Sequence, residues 1–211
     1  LADNGGQITE NALVTLWAGG NDFLSLFNPG NTTTPQQAVV NAVTNMSSAI
    51  MNLAGHGATD ILVLTLPDLG MTPYLNGNPT YSAMGTGISV AYNDALQNAV
   101  TILAAAYDLN IYTLDVFGIM QNIKLDPAAF GFDNIRDPLY VYDQYNNPIL
   151  VGNPNLTYLF FDPIHPTAAG HEMVADYAFR TVAPVPEPAT LILMGTGLAG
   201  LAGFRKRMKK Q

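Results

Sequence analysis

Three short apolar runs, residues 12–18, 61–66 and 111–116, punctuate the first part of the chain. Unbroken runs of this length, bounded by turn residues, read as strands buried on both faces of a parallel sheet. The first ends in Gly19-Gly20 and the second in Pro67. Between them the period changes to that of a helix. Residues 35–53 place Ala38, Val39, Ala42, Val43, Met46, Ile50 and Leu53 on one broad face, with Gly55 and Gly57 closing it. Residues 67–85 read as turn-rich loop, and residues 89–109 as a second long helix. Residues 127–157 hold several prolines and asparagines with little periodicity. Residues 158–161 form a brief extended piece, and a closing helix runs over residues 166–182, with Pro166 at its first position.

Strands alternating with long helices predict an α/β fold: a mostly parallel sheet in a three-layer α/β/α arrangement. Ligands bind such sheets beyond the carboxyl ends of the strands, and Asn21 and Asp22 fall just past the first of these.

From Pro184 the pattern changes again. Pro-Val-Pro-Glu-Pro is followed by uncharged, mostly apolar residues 189–204 and then by a basic cluster. As a helix the apolar segment would span about 24 Å, slightly short of the usual bilayer core. The expectation is a domain over residues 1–183 and a tail over 184–211, with a transmembrane helix at about 189–204. The positive-inside rule keeps the cationic end in the cytoplasm and the domain on the far side.

Charge sharpens this division. The net charge is −8, but residues 1–185 carry fifteen acidic side chains against Lys124, Arg136 and Arg180. Such a body repels phosphate backbones, which disfavours nucleic-acid binding. The absence of cysteine excludes disulfides, thiol catalysis and cysteine-held zinc.

Two segments carry candidate chemistry. In Asp162-Pro163-Ile164-His165-Pro166-Thr167 an aspartate precedes a histidine by three residues on a stretch stiffened by proline. That carboxylate can accept from Nδ1 of the imidazole and leave Nε2 free as a general base. The same residues also fit a helix cap beside a surface histidine. In Gly19-Gly20-Asn21-Asp22 a side-chain amide sits on a glycine turn after a buried strand, where it could face a developing oxyanion; a tight turn and helix cap fit equally well. His56 reads as a helix-end residue and His171 as packing or surface. A metal site from Asp162, His165 and His171 has the wrong histidine spacing, and the acidic stretch 133–143 reads as solvated loop rather than a calcium loop. Tyr140, Tyr142, Tyr145 and Tyr158 fit either plain packing or an acyl or sugar groove.

Together, Gly19-Gly20-Asn21-Asp22 and Asp162-Pro163-Ile164-His165, in that order, resemble the third and fifth blocks of the SGNH, or GDSL-type, esterase and lipase family. Leu66-Pro67-Asp68-Leu69-Gly70 with Thr72-Pro73 agrees with members acting on lipids or acylated polymers. The resemblance spans about residues 12–180 and implies a flavodoxin-like hydrolase fold. It also implies that Asn21, with Gly19 in its turn, serves the oxyanion, that His165 is the base and that Asp162 orients it. No cofactor is implied. The family's Gly-Asp-Ser nucleophile block and its second, glycine-donating block match nothing here. Both are expected upstream of Leu1, making this chain a fragment that is inactive alone, from a parent that hydrolyses esters. A non-catalytic exported surface or matrix protein and a polysaccharide O-deacetylase are the rival readings. The tail resembles the PEP-CTERM sorting signal in Pro186-Glu187-Pro188, the apolar segment and the basic end. It implies export, transient anchoring in a bacterial inner membrane, cleavage by an exosortase-like enzyme and an envelope or extracellular destination.

Overall fold

The computed structural model describes residues 5–9 and 11–183. The elements run β1 (Leu13–Leu16), α1 (Gly20–Leu24), α2 (Pro35–Gly55), β2 (Asp60–Leu64), α3 (Pro73–Asn76), α4 (Pro79–Tyr107), β3 (Asn110–Leu114), α5 (Val116–Leu125), β4 (Asn134–Pro138), β5 (Tyr140–Tyr142), β6 (Pro148–Leu150), β7 (Tyr158–Phe160) and α6 (Ala168–Val182), with short 3-10 turns between. β1, β2 and β3 form a parallel sheet in that spatial order. β4 and β7 form a second parallel pair, and β5 and β6 an antiparallel hairpin.

The period-2 geometry of β2 builds the layers. Ile61 and Val63 pack with Ala38, Ala42, Met46 and Ile50 of α2 and with Ile88, Tyr92, Leu96 and Val100 of α4. Leu62 and Leu64 join Ile119, Met120 and Ile123 of α5, Leu159 and Phe160 of β7, and Val174 of α6. Helices therefore cover both faces of the central strand, which is why its sequence does not alternate. β1, with one neighbour among the described residues, is only half-buried on its better-covered face.

Several boundaries differ from the sequence expectation, each for a local reason. The segment read as loop over 67–85 contains α3 and the first turns of α4. Asn78 caps α4 by accepting from the N–H groups of Thr80 and Tyr81, and Pro79 takes the first helical position. Gly85 and Gly87 obscured that start. Gly85 is required because a Cβ there would lie 2.9 Å from the Gly70 nitrogen and 2.8 Å from Leu75 Cδ1. The run 111–116 is shorter as a strand, because Asp115 accepts from Gly118 N–H at 2.9 Å and starts α5, a helix the periodicity did not reveal. The stretch 127–157 holds three strands rather than irregular chain. The closing helix begins at Ala168, not Pro166, since Thr167 is its cap and Pro166 bridges back to Phe160. The tail and its expected transmembrane segment lie outside the described residues; within them no helix is long and apolar enough to cross a membrane.

The chain after β2 is held by polar groups rather than by a ladder. Asn93 of α4 accepts from Leu66 N–H at 2.7 Å and donates to Leu66 O at 2.9 Å. The buried Asp68 carboxylate accepts from Gly70 N–H, Thr86 Oγ1 and Gln121 Nε2, tying the loop to α4 and α5. Gly70 presses so closely on α4 that an added Cβ would collide with the Ser82 carbonyl oxygen and the Thr86 hydroxyl. Gly70→Ala should therefore cost about 1–3 kcal/mol by overpacking. In a chain of this size that lowers the thermal midpoint by roughly 3–10 °C, read by circular dichroism.

Candidate active site

A cleft of about 500 Å³ opens beyond the carboxyl ends of β1 and β2, within the usual size range of small-molecule sites. Its walls include Gly19, Gly20, Asn21 and Asp22 from the turn into α1, and Leu66, Pro67 and Leu69 from the loop after β2. Val116, Ile119 and Met120 of α5, Ile164 and His165 of the last loop, and His171 and Val174 of α6 complete them. Two segments 144 positions apart in sequence thus meet over one cavity, as the α/β topology allows.

The turn after β1 requires glycine. Gly19 has φ of 114°, a region that L side chains rarely adopt, and a Cβ there would lie 3.2 Å from the Tyr92 ring. Tyr92, fully buried, meets Phe23 edge to face and donates its hydroxyl to Ala18 O at 3.3 Å. Burial and, secondarily, the Asp22 charge push its phenol up to about 12, so it stays a protonated donor at any working pH. Phe23 and Tyr92 therefore fix the turn from below. Asn21, in the first turn of α1, is exposed on the cleft wall, and its side chain makes no hydrogen bond among the described residues. A side-chain amide left free at a cavity wall is available to a ligand oxygen.

The His165 loop is folded back on β7. Phe161 N–H donates to His165 O at 2.8 Å, Thr167 N–H to Leu159 O at 2.9 Å, and Thr167 Oγ1 to Tyr158 O at 2.7 Å. Inside this loop Asp162 is buried. Its Oδ1 accepts from the N–H groups of Ile164 at 2.8 Å and His165 at 2.7 Å, and its Oδ2 faces His165 Nδ1 at 2.8 Å. Burial alone would raise the carboxyl pKa. The hydrogen bonds from the His165 N–H, its ring and the Ile164 N–H, with the attraction of the imidazole, outweigh that and hold it below the usual aspartate value. An ionised carboxylate can only accept, so Nδ1 carries the proton. The side chain of His165 is 66% exposed against 9% for Asp162, which leaves Nε2 open to the cleft.

The structure brings Asn21, Gly19 and His165, the candidates named from the sequence, to one cleft, with Asp162 behind the imidazole. Sequence reasoning missed His171, which lines the cleft and packs edge-on against Trp17 at 6.4 Å. Its position three residues after Ala168 at the helix start was the available signal. Tyr140, Tyr142, Tyr145 and Tyr158 do not line the cleft. His56 caps α2, its Nδ1 2.7 Å from Asn52 O. Asp133, Asp137 and Asp143 are spent separately on Thr157, Asn134 and the Asn147 turn. Every serine in the chain lies outside the cleft lining, and all five hydroxyls donate to main-chain oxygens: Ser25 to Asp22, Ser47 to Val43, Ser48 to Thr44, Ser82 to Gly70 and Ser89 to Gly85.

The comparisons with known proteins agree with this geometry. The family profile described as GDSL-like Lipase/Acylhydrolase matches residues 2–178, and the profile described as PEP-CTERM protein-sorting motif matches residues 184–207. An uncharacterized protein of the trpE-trpG intergenic region of Pseudomonas putida is 30% identical over 90% of this chain and 31% of its own length. A GDSL esterase/lipase of Arabidopsis thaliana is 26% identical over 81% of this chain and 53% of its own. Esterase EstA of Pseudomonas aeruginosa is 28% identical over 95% of this chain and 30% of its own. The chain thus spans about a third to a half of the length of these relatives.

The Asp162 clamp makes stability depend on acid. A carboxyl whose folded pKa is depressed stabilises the fold above its unfolded pKa, near 3.9, and loses that contribution as pH falls through the folded value. Asp162→Asn should cost about 1–3 kcal/mol near neutrality by leaving buried donors poorly matched. In urea titrations its gap from the unsubstituted protein should narrow as the pH falls below the ordinary aspartate range.

Proposed function

Because the chain belongs to the GDSL-like lipase/acylhydrolase family, we propose that its cleft is the acyl-transfer site of a serine ester hydrolase. The carrying observation is the convergence of the free Asn21 amide and the Asp162-oriented His165 on one cavity. In this reading His165 Nε2 takes the proton of a serine hydroxyl as that oxygen attacks the ester carbonyl. The Asn21 amide donates to the oxygen that gains the negative charge, and His165⁺ then protonates the leaving alcohol. Water repeats the sequence with His165 as base and releases the acid. Asp162, ionised and buried, stabilises the imidazolium and keeps the ring in the tautomer that presents Nε2.

None of the five serines can be the nucleophile where it stands, so the reading places that group upstream of Leu1. The edge of β1 left unpaired among the described residues supports this, because a further parallel strand ending in a serine turn would deliver its hydroxyl beside Asn21. The 211-residue chain is then inactive alone. Residues up to 183 act as the hydrolase portion, and the PEP-CTERM motif at 184–207 marks the protein for export and exosortase processing. Transient anchoring through residues 189–204 in the inner membrane before release to the envelope belongs to the same proposal.

The gene product extended by about a hundred residues at its N-terminus, the remaining length of a typical single α/β domain, should hydrolyse p-nitrophenyl butyrate. Asn21→Ala should lower kcat about 10²–10³-fold. His165→Ala should lower it about 10⁴-fold or more. Turnover by the 211-residue chain, dependent on Asn21 and His165, would contradict the proposed place of the serine. An extended product that is inert would favour a non-catalytic surface protein on the same scaffold.

A further inference from the structure

The hairpin β5–β6 gathers several exposed apolar side chains on one short ribbon. All three residues of β6 are exposed, while Tyr140 and Val141 of β5 are half-buried, so the ribbon rests on the domain along β5 only. A two-stranded ribbon in water normally buries one face, since alone it is marginally stable. Here the sequence does not compensate with polar residues. Tyr142, Ile149 and Leu150 are exposed, Val151 is 55% exposed and Tyr145 at the tip is 77% exposed. Between Pro138 and Phe161 the one charged residue is Asp143, and its carboxylate is committed to the turn, accepting from the N–H groups of Tyr145 and Asn147 and from the Asn147 amide.

The hairpin is rooted on the His165 loop. Tyr140 N–H donates to Phe161 O at 2.8 Å and Leu139 N–H to Phe160 O at 3.0 Å, while the Tyr140 and Phe161 rings pack at 5.0 Å. Phe161, itself exposed, adjoins Asp162 and donates its N–H to His165 O. The apolar surface is therefore continuous with the loop that carries the base. Its chemistry narrows the occupant. Tyrosines and branched aliphatics without lysine or arginine suit the boundary between headgroups and acyl chains. The acidic body, fifteen acids against three bases, would be repelled by an anionic bilayer.

We propose that the β5–β6 hairpin is an interfacial foot that seats the protein on an uncharged or zwitterionic lipid surface and presents the cleft to esters held there. This deepens the ester-hydrolase reading and rests on it for the esters as substrates, but the docking itself does not require catalysis. Tyr142, Tyr145, Ile149, Leu150, Val151 and Phe161 form the contact.

The test uses the full 211-residue chain carrying Tyr145→Trp, whose added emission is taken over that of Trp17, mixed with vesicles of dibrominated phosphatidylcholine. A second reporter, Val40→Trp on the exposed face of α2, controls for tethering by the tail. An interfacial segment sits roughly 5–10 Å into the headgroup–acyl boundary, within reach of bromine. The emission added at position 145 should fall by more than half while that at position 40 holds. Adding Ile149→Ser and Leu150→Ser to Tyr145→Trp should abolish the quenching with an unchanged circular dichroism spectrum. Equal quenching at both positions, quenching at neither, or a response at 145 to an O-acetylated polysaccharide and not to vesicles would overturn the proposal. The hydrolase reading is separable: hydrolysis of soluble p-nitrophenyl butyrate by the extended product without quenching at 145 sinks only the foot. Quenching without any hydrolysis leaves the foot standing and sinks the esterase.

Discussion

Burial of β2 on both faces is the constraint from which the rest follows. Its side chains leave alternately toward α2 and α4 and toward α5 and α6, so two helical layers are registered on one five-residue strand. In-register parallel pairing then brings the carboxyl ends of β1 and β2 to one edge. A polar segment at that edge cannot continue the sheet and has to be held otherwise. Asn93 and Asp68 do this after β2, and Gly19 with Tyr92 does it after β1. The cleft is the space left between those two fixed turns and the loop returning from β7.

The site combines rigid supports with two unsatisfied groups. Asp162 accepts three short hydrogen bonds, and Tyr92 is buried and neutral. By contrast the Asn21 amide and His165 Nε2 face the cavity unpaired among the described residues. Electrostatic preorganisation takes this form: supports over-determined, working atoms open. The family match and the PEP-CTERM motif agree with the proposal of an exported ester hydrolase.

Much of this was legible in the sequence because it depends on local pattern. The three apolar runs and the broad face of α2 are set by burial, and burial leaves its period in the residues. Asp162 and His165 stood out in the sequence because a three-residue spacing, with a proline following each, limits where the side chains can go. What was not legible depends on distant partners. Gly85 argues against a helix until the loop at Gly70 is seen pressing on α4. Ten residues with apolar positions throughout, as in α5, do not declare a helix without the Asp115 cap. The hairpin at 140–150 carries no two-residue turn signal, its reversal being built on Asp143 and on Asn146 at φ of 63°. That His171 lines the cleft depends on how α6 packs against the turn after β1, which no local pattern reports.

The most direct test of the central claim is a crystal structure of the extended, active product inactivated with a p-nitrophenyl phosphonate. Its tetrahedral phosphorus mimics the ester intermediate. The phosphonyl oxygen should lie about 2.7–3.1 Å from Asn21 Nδ2, with His165 Nε2 beside the oxygen that joins phosphorus to the serine. An adduct elsewhere, or one whose oxygen is held by other donors while Asn21 faces solvent, would contradict the account.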